Sequence, residues 1–175
     1  MNGLDAVKAG GLLLLSAIVQ VSILGWIEVA EGRPDLVLVM LVALSLLRGP
    51  LFGAVAGFGV GFVLDVATFE PLGLTSLLLT ITGYWAGRFG DVTSRSSAHP
   101  PQIAVALATL GVAFGSAILH FMLGFSISAS EFFLGVLLPT LALNVLLAYP
   151  VYGLCRRLLP PERRPSRERE VSPAV

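Results

Sequence analysis

Apolar residues run through this chain in six long stretches, divided by short breaks that are polar or carry Gly and Pro. The pattern predicts six membrane-spanning helices. The stretches cover residues 9–27, 36–47, 51–69, 72–89, 102–125 and 131–155, and residues 156–175 form a polar, Arg-rich end. Inside the stretches polar residues are sparse and fall at helical spacing. Ser16 and Gln20 are four apart and share one face of the first, as a stripe turned toward a bundle should. The predicted fold is all-α: a compact bundle of six transmembrane helices forming one domain over 1–155, followed by a disordered tail over 156–175.

The second stretch is too short for its task. Twelve apolar residues, 36–47, rise about 18 Å as a helix against a hydrocarbon core of about 30 Å. Asp35 and Arg48 could extend it to the two interfaces, the bilayer could thin, or neighbouring helices could shield it. The breaks are chemically ordinary: Gly32 and Pro34 precede the second stretch, Gly49 and Pro50 make a tight turn after it, and Ser and Pro fill 90–101. Trp26 suits an outer interface, and Tyr84 and Trp85 fall near the inner end of the fourth stretch. Pro139 cannot donate to the carbonyl of Gly135, which predicts a kink in the last helix.

Charge then orients the bundle. Of the eleven Lys and Arg, only Arg33 falls on one side of the predicted membrane. Lys8, Arg48, Arg88, Arg95, Arg156, Arg157, Arg163, Arg164, Arg167 and Arg169 fall on the other. Short loops rich in Lys and Arg remain in the cytoplasm, so both termini are expected inside. The eleven acids show no such bias, as expected for residues that contribute little to the rule. A re-entrant second stretch would leave five spans and put the basic end outside, against this pattern.

Composition agrees with the pattern. Hydrophobic residues make up 55% of the chain and charged residues 13%, where soluble domains carry about 25%. Six spans and their connections nearly use up the 175 residues, so no separate soluble domain is expected. The first stretch exceeds the h-region of a signal peptide, about 7 to 15 residues, and no small-residue cleavage site follows it; it reads as a retained span. Net charge is zero and the basic residues are segregated by topology, which argues against a nucleic-acid partner. Cys155 is the single cysteine, so no internal disulfide is expected; packing is its simplest role, although its place at the cytoplasmic end leaves lipidation open in principle.

Gly49, Gly53, Gly57 and Gly61 recur every four residues and Asp65 continues the series. Positions four apart drift by about 40° per step, so this strip lets another helix approach closely, either within the bundle or from a partner or second copy. Gly83 with Gly87, and Gly111 with Gly115, repeat the spacing. Asp65 is the one acid inside a predicted span, where a carboxylate must face the interior, pair or protonate. Arg48 is 17 positions away, about 25 Å along a helix, so Arg33 or backbone N–H groups of the outer loops are the expected contacts. An ion or proton relay would need several ionisable groups along the membrane depth. Only His120 and Asn144 could extend one, and both more often hydrogen-bond one helix to another. Ser116 and His120 share a helical face, but no acidic partner, nucleophile elbow, phosphate loop, metal set or carboxylate pair accompanies them. No catalytic residue, cofactor or metal is expected.

One segment is more specific than its composition. Pro34 and Asp35 open a short apolar helix that ends at Arg48-Gly49. Gly53, Gly57 and Gly61 lead to Asp65, Pro71-Leu72-Gly73 follows, and the next helix closes with Tyr84 and Gly87. In this order the set, over 34–89, resembles the rod shape-determining protein MreD family. The last two spans match only in length and hydropathy, and the Arg-rich tail lies outside the pattern. The resemblance implies a non-enzymatic, multi-pass component of the bacterial cytoplasmic (inner) membrane. It would act in cell elongation and peptidoglycan synthesis with an MreC-type bitopic protein, with RodA and PBP2 and, indirectly, with the filament protein MreB. It attaches no catalytic role to Pro34, Asp35, Arg48, Gly53, Gly57, Gly61, Asp65, Pro71 or Gly73.

Two functions follow. A scaffold binds partner transmembrane helices and membrane lipid, with homodimerisation an open alternative; it should have a packed interior and a lipid-facing groove lined by Gly, Ala and Ser. The family also resembles in architecture the substrate-binding subunits of energy-coupling-factor vitamin transporters. A subunit of that kind should instead hold an enclosed cavity opening outward, walled by aromatic and polar groups.

Overall fold

A computed structural model describes residues 3–23, 32–68, 71–92, 100–124 and 135–159. Within them lie six helices: α1 (Gly3–Ser22), α2 (Leu36–Arg48), α3 (Pro50–Thr68), α4 (Leu74–Val92), α5 (Pro100–Met122) and α6 (Leu138–Leu158). Expectations for Trp26, the outer loop at 126–130 and the tail beyond 159 lie outside the described residues.

The architecture is a helix wrapped by five others. Short α2 packs on α1, α3, α4, α5 and α6, which follow one another around it in the order α1, α3, α4, α5, α6. Its sequence explains the position: α2 is apolar on every side, and a helix without a polar face belongs in an interior. Eleven of its 13 residues are buried. Neighbouring helices therefore solve the length problem of the second stretch, since a helix that meets no lipid need not match its thickness. Asp35 caps the start of α2, its Oδ1 accepting the Leu38 N–H at 2.9 Å. Gly49 ends the helix in the left-handed region at φ 94°, and Pro50 then occupies the first position of α3, where a missing N–H costs nothing. Arg48, in the last turn of α2, is itself buried, with 5% of its surface exposed.

The outer ring inverts the soluble pattern. Leu14, Leu15 and Ile18 of α1, Phe58 and Phe62 of α3, Trp85 of α4, Phe114 and Ile118 of α5 and Leu146 of α6 are exposed, whereas Ser16, Ser45, Asp65, Ser76, Thr109 and Asn144 are buried. An apolar rim around a core that includes polar side chains is what lipid as solvent requires. Three helical stretches, Pro50–Thr68, Pro101–Met122 and Gly135–Leu158, are long and apolar enough to cross a membrane, while Val7–Ser22 and Leu36–Arg48 are apolar but shorter.

The first and last helices add detail to their apolar stretches. α1 begins at Gly3 and ends at Ser22, so its first turns include Asp5 and Lys8. The last helical stretch runs over Gly135–Leu158, its first three residues in the wide π form and Pro139 at the second position of α6, so the helix changes form beside the proline where a kink is expected. Pro150 is the proline inside α6.

Candidate functional site

Three features of the bundle carry chemistry or surface: a glycine seam, two polar junctions at one end, and a groove on the rim. The seam joins α3 to α4. A Cβ on Gly53 would collide with the Gly83 carbonyl, one on Gly57 with the Leu79 carbonyl, and one on Gly61 would lie 2.5 Å from the Ser76 Cα. Gly83 in turn meets Gly53, and Gly87 meets Gly49 and Pro50. The four-residue series thus brings two backbones of this chain together, and α4 covers the face that might otherwise have received a partner helix.

Asp65 closes the seam at the end of α3 nearest the α3–α4 turn and is fully buried. Its Oδ2 accepts the N–H of Gly73 at 2.8 Å, the N–H of Ser76 at 3.3 Å and the hydroxyl of Ser76 at 3.2 Å; its Oδ1 accepts the N–H of Thr75 at 3.0 Å. Leu74 is the first residue of α4, so a carboxylate borrowed from α3 satisfies N–H groups that the first turn of α4 cannot bond internally. It also faces the positive end of that helix. Gly73 lies at φ 98°, in the left-handed region, which lets the turn bend its N–H onto Asp65. The contacts are therefore backbone groups of the α3–α4 turn. Arg33 offers its own backbone N–H to Thr140 Oγ1 at 3.2 Å, and Thr68 bonds back to the Leu64 carbonyl at 2.9 Å. All the Asp65 partners are donors, which suits an ionised carboxylate acting as a fixed cap rather than a group that exchanges protons.

The second junction ties four helices at the start of α2. The Asp35 N–H donates to Asn144 Oδ1 of α6 at 2.8 Å, Asn144 Nδ2 donates to Thr109 Oγ1 of α5 at 3.1 Å, and the Val37 N–H donates to Gln20 Oε1 of α1 at 2.8 Å. Asn144 is wholly buried and uses both ends of its amide. Burial pushes the Asp35 carboxyl above its ordinary range, opposed by hydrogen bonds from the Leu38 N–H, Gln20 and the Val37 N–H. His120 bonds within its own helix: Nδ1 lies 2.8 Å from the Ser116 carbonyl and 3.3 Å from the Ser116 hydroxyl. The contact expected from spacing is present, but Nδ1 is shared with the backbone. Among the described residues no three His, Cys, Asp or Glu gather to hold a metal.

Sequence reasoning missed Thr109 and Thr140, since a lone Thr in an apolar helix gives no signal of its own. It also left Thr75 and Ser76 unassigned, although two hydroxyl residues just after Pro71-Leu72-Gly73 mark a helix start.

On the rim, α4 and α5 diverge to leave a groove of about 510 Å³. Ile81, Trp85 and Phe89 form one wall, and Ala104, Ala108 and Gly111 line the other. Those three fall three or four residues apart on one face of α5, and a Cβ on Gly111 would meet nothing within 4 Å. Gly115, one turn further, faces the side chain of Leu78. Cys155 of α6 is buried, its thiol donating to Met40 Sδ of α2 at 3.2 Å.

Compared with known families, residues 9–160 match the model of the family described as rod shape-determining protein MreD. No curated protein and no solved structure matches the chain.

Proposed function

The chain belongs to the MreD family of rod shape-determining membrane proteins, and from that premise we propose that it is a non-enzymatic scaffold of the bacterial elongation machinery. It holds the transmembrane helix of a bitopic MreC-type partner against its rim and so helps to place RodA and PBP2, and indirectly MreB, for peptidoglycan synthesis. All six helices cross the bacterial cytoplasmic membrane with both termini inside, in keeping with the distribution of Lys and Arg. The described helices form the membrane domain, and the polar tail adds attraction to anionic lipid.

The observation that carries the partner-binding reading is the α4–α5 groove. Helices associate in lipid through close packing at small residues, and here Gly111 stands open beside an aromatic wall, with the buried Ala104 and Ala108 at the base of the groove. The glycine seam cannot serve, because α4 already fills it. The transporter reading is less well supported. A ligand chamber would occupy the middle of the bundle, and that space holds α2, with Val37, Leu38, Val39, Leu41 and Val42 each at most 1% exposed.

Copurification tests the proposal. With both proteins produced together, Gly111→Leu, which fills the groove from an open position, should abolish recovery of the bitopic partner while leaving the chain itself monodisperse and folded. Full recovery with the groove filled would reject the groove as the partner site.

A further inference from the structure

Where α5 begins and α6 ends, the two helices leave a second cleft of about 590 Å³, distinct from the α4–α5 groove. Pro101 stands on the α5 side, and Tyr149, Tyr152, Gly153, Arg156 and Arg157 come from α6. Tyr149, Tyr152 or Gly153, and Arg156 recur at three and four residues, so one face of α6 presents aromatic rings and then a guanidinium. Both arginines are exposed, and among the described residues neither forms an ion pair. The nearby start of α5 adds the positive end of a helix dipole. Two adjacent cations at the mouth of a concave, tyrosine-lined cleft, where the apolar run of α6 ends, define a site for phosphate, because guanidinium groups engage phosphate oxygens in paired hydrogen bonds.

We propose that this cleft binds the headgroup of cardiolipin, an anionic phospholipid carrying two phosphates. The match is one of number and place. Two arginines meet two phosphates, Tyr149 and Tyr152 stand two turns and one turn before them along α6, where the glycerol region of a lipid so held would fall, and the apolar flanks of α5 and α6 continue toward its acyl chains. Basic pockets between transmembrane helices on the cytoplasmic side select such lipids. Lipid at this site would brace α5 against α6. The inference does not depend on the partner proposed above, since the two surfaces share no residue.

The test uses the full chain in micelles doped with cardiolipin, phosphatidylglycerol at equal charge, or phosphatidylcholine, with bound lipid counted by native mass spectrometry and thermal unfolding followed in parallel. Cardiolipin should bind most tightly and raise the unfolding temperature. Arg156→Gln with Arg157→Gln should weaken its binding on the order of tenfold or more, while unfolding without added lipid stays unchanged. Arg156→Lys with Arg157→Lys should retain a larger share of the affinity, and replacement of Arg163, Arg164, Arg167 and Arg169 by Gln should leave it intact. Undiminished binding by the Arg156/Arg157 Gln pair, equal binding of phosphatidylglycerol, or loss on changing only the tail would overturn the proposal. So would inorganic pyrophosphate binding as tightly as the lipid, which would make the cleft a site for soluble phosphate.

Discussion

Asp65 on α3 accepts both the backbone N–H and the hydroxyl of Ser76 on α4, so one helix supplies the cap of the next. The carboxylate is buried and takes two further N–H groups, from Gly73 and Thr75. Asp65→Leu strands these donors and should cost on the order of 3 kcal/mol or more, enough to prevent recovery of folded protein. Asp65→Asn keeps one acceptor and should be milder, and Ser76→Ala, which removes a single hydroxyl, should cost about 1 kcal/mol. Thermal unfolding of the purified variants in detergent measures the order; Ser76→Ala proving as damaging as Asp65→Leu would contradict the capping account.

The α3–α4 seam predicts a contrast between glycines of equal spacing. Gly57→Leu and Gly83→Leu force backbones apart and should abolish monodisperse protein in size-exclusion chromatography. Gly111→Leu projects into open groove and should leave the elution profile unchanged.

At the other junction, Asn144→Leu should destabilise by about 1–3 kcal/mol, because the Asp35 N–H and the Thr109 hydroxyl lose their partner together. Thr109→Val should cost less in that background than in the native chain, a coupling that a double-mutant cycle resolves.

Asp35 gives a pH dependence with a fixed sign. Its carboxyl is raised in the folded chain, so the folded state favours the proton: the stabilisation is complete below the ordinary value of 3.8 and is lost as pH rises through the raised one. Asp35→Asn keeps a capping oxygen without the charge. It should therefore match the native chain in acid and equal or exceed it at neutral pH, as read from unfolding midpoints across pH.

Cys155 should resist maleimide in the folded protein and react after denaturation, since its thiol is buried against Met40. Rapid labelling of the folded chain would place α6 differently.

Much of this fold could be read from residue order, because lipid imposes a simple rule on apolar runs, and the six helices follow them. The central place of α2 was implicit in its lack of a polar face and its short length, yet which helices surround it depends on packing that no single stretch records. The glycine series announced a close approach but not its partner: Gly57 offers the same surface to α4 as to a foreign helix, and only the α3–α4 turn decides. Asp65 announced a buried acceptor, whereas its donors are backbone groups that carry no residue signature. A lipid-facing groove of small residues is expected from the sequence but not its place, since Ala104, Ala108 and Gly111 mark a packing face without saying that it is left uncovered at Gly111.

The central claim, that the groove between α4 and α5 receives a partner helix, is tested most directly by site-specific photocrosslinking in living cells. A photoreactive residue at Leu107 or Ile81, both at the groove, should crosslink to the bitopic partner, and the same residue at Phe58 on α3 should not. Crosslinks from Phe58 with none from Leu107 or Ile81 would contradict the account and move the partner to the exposed face of α3.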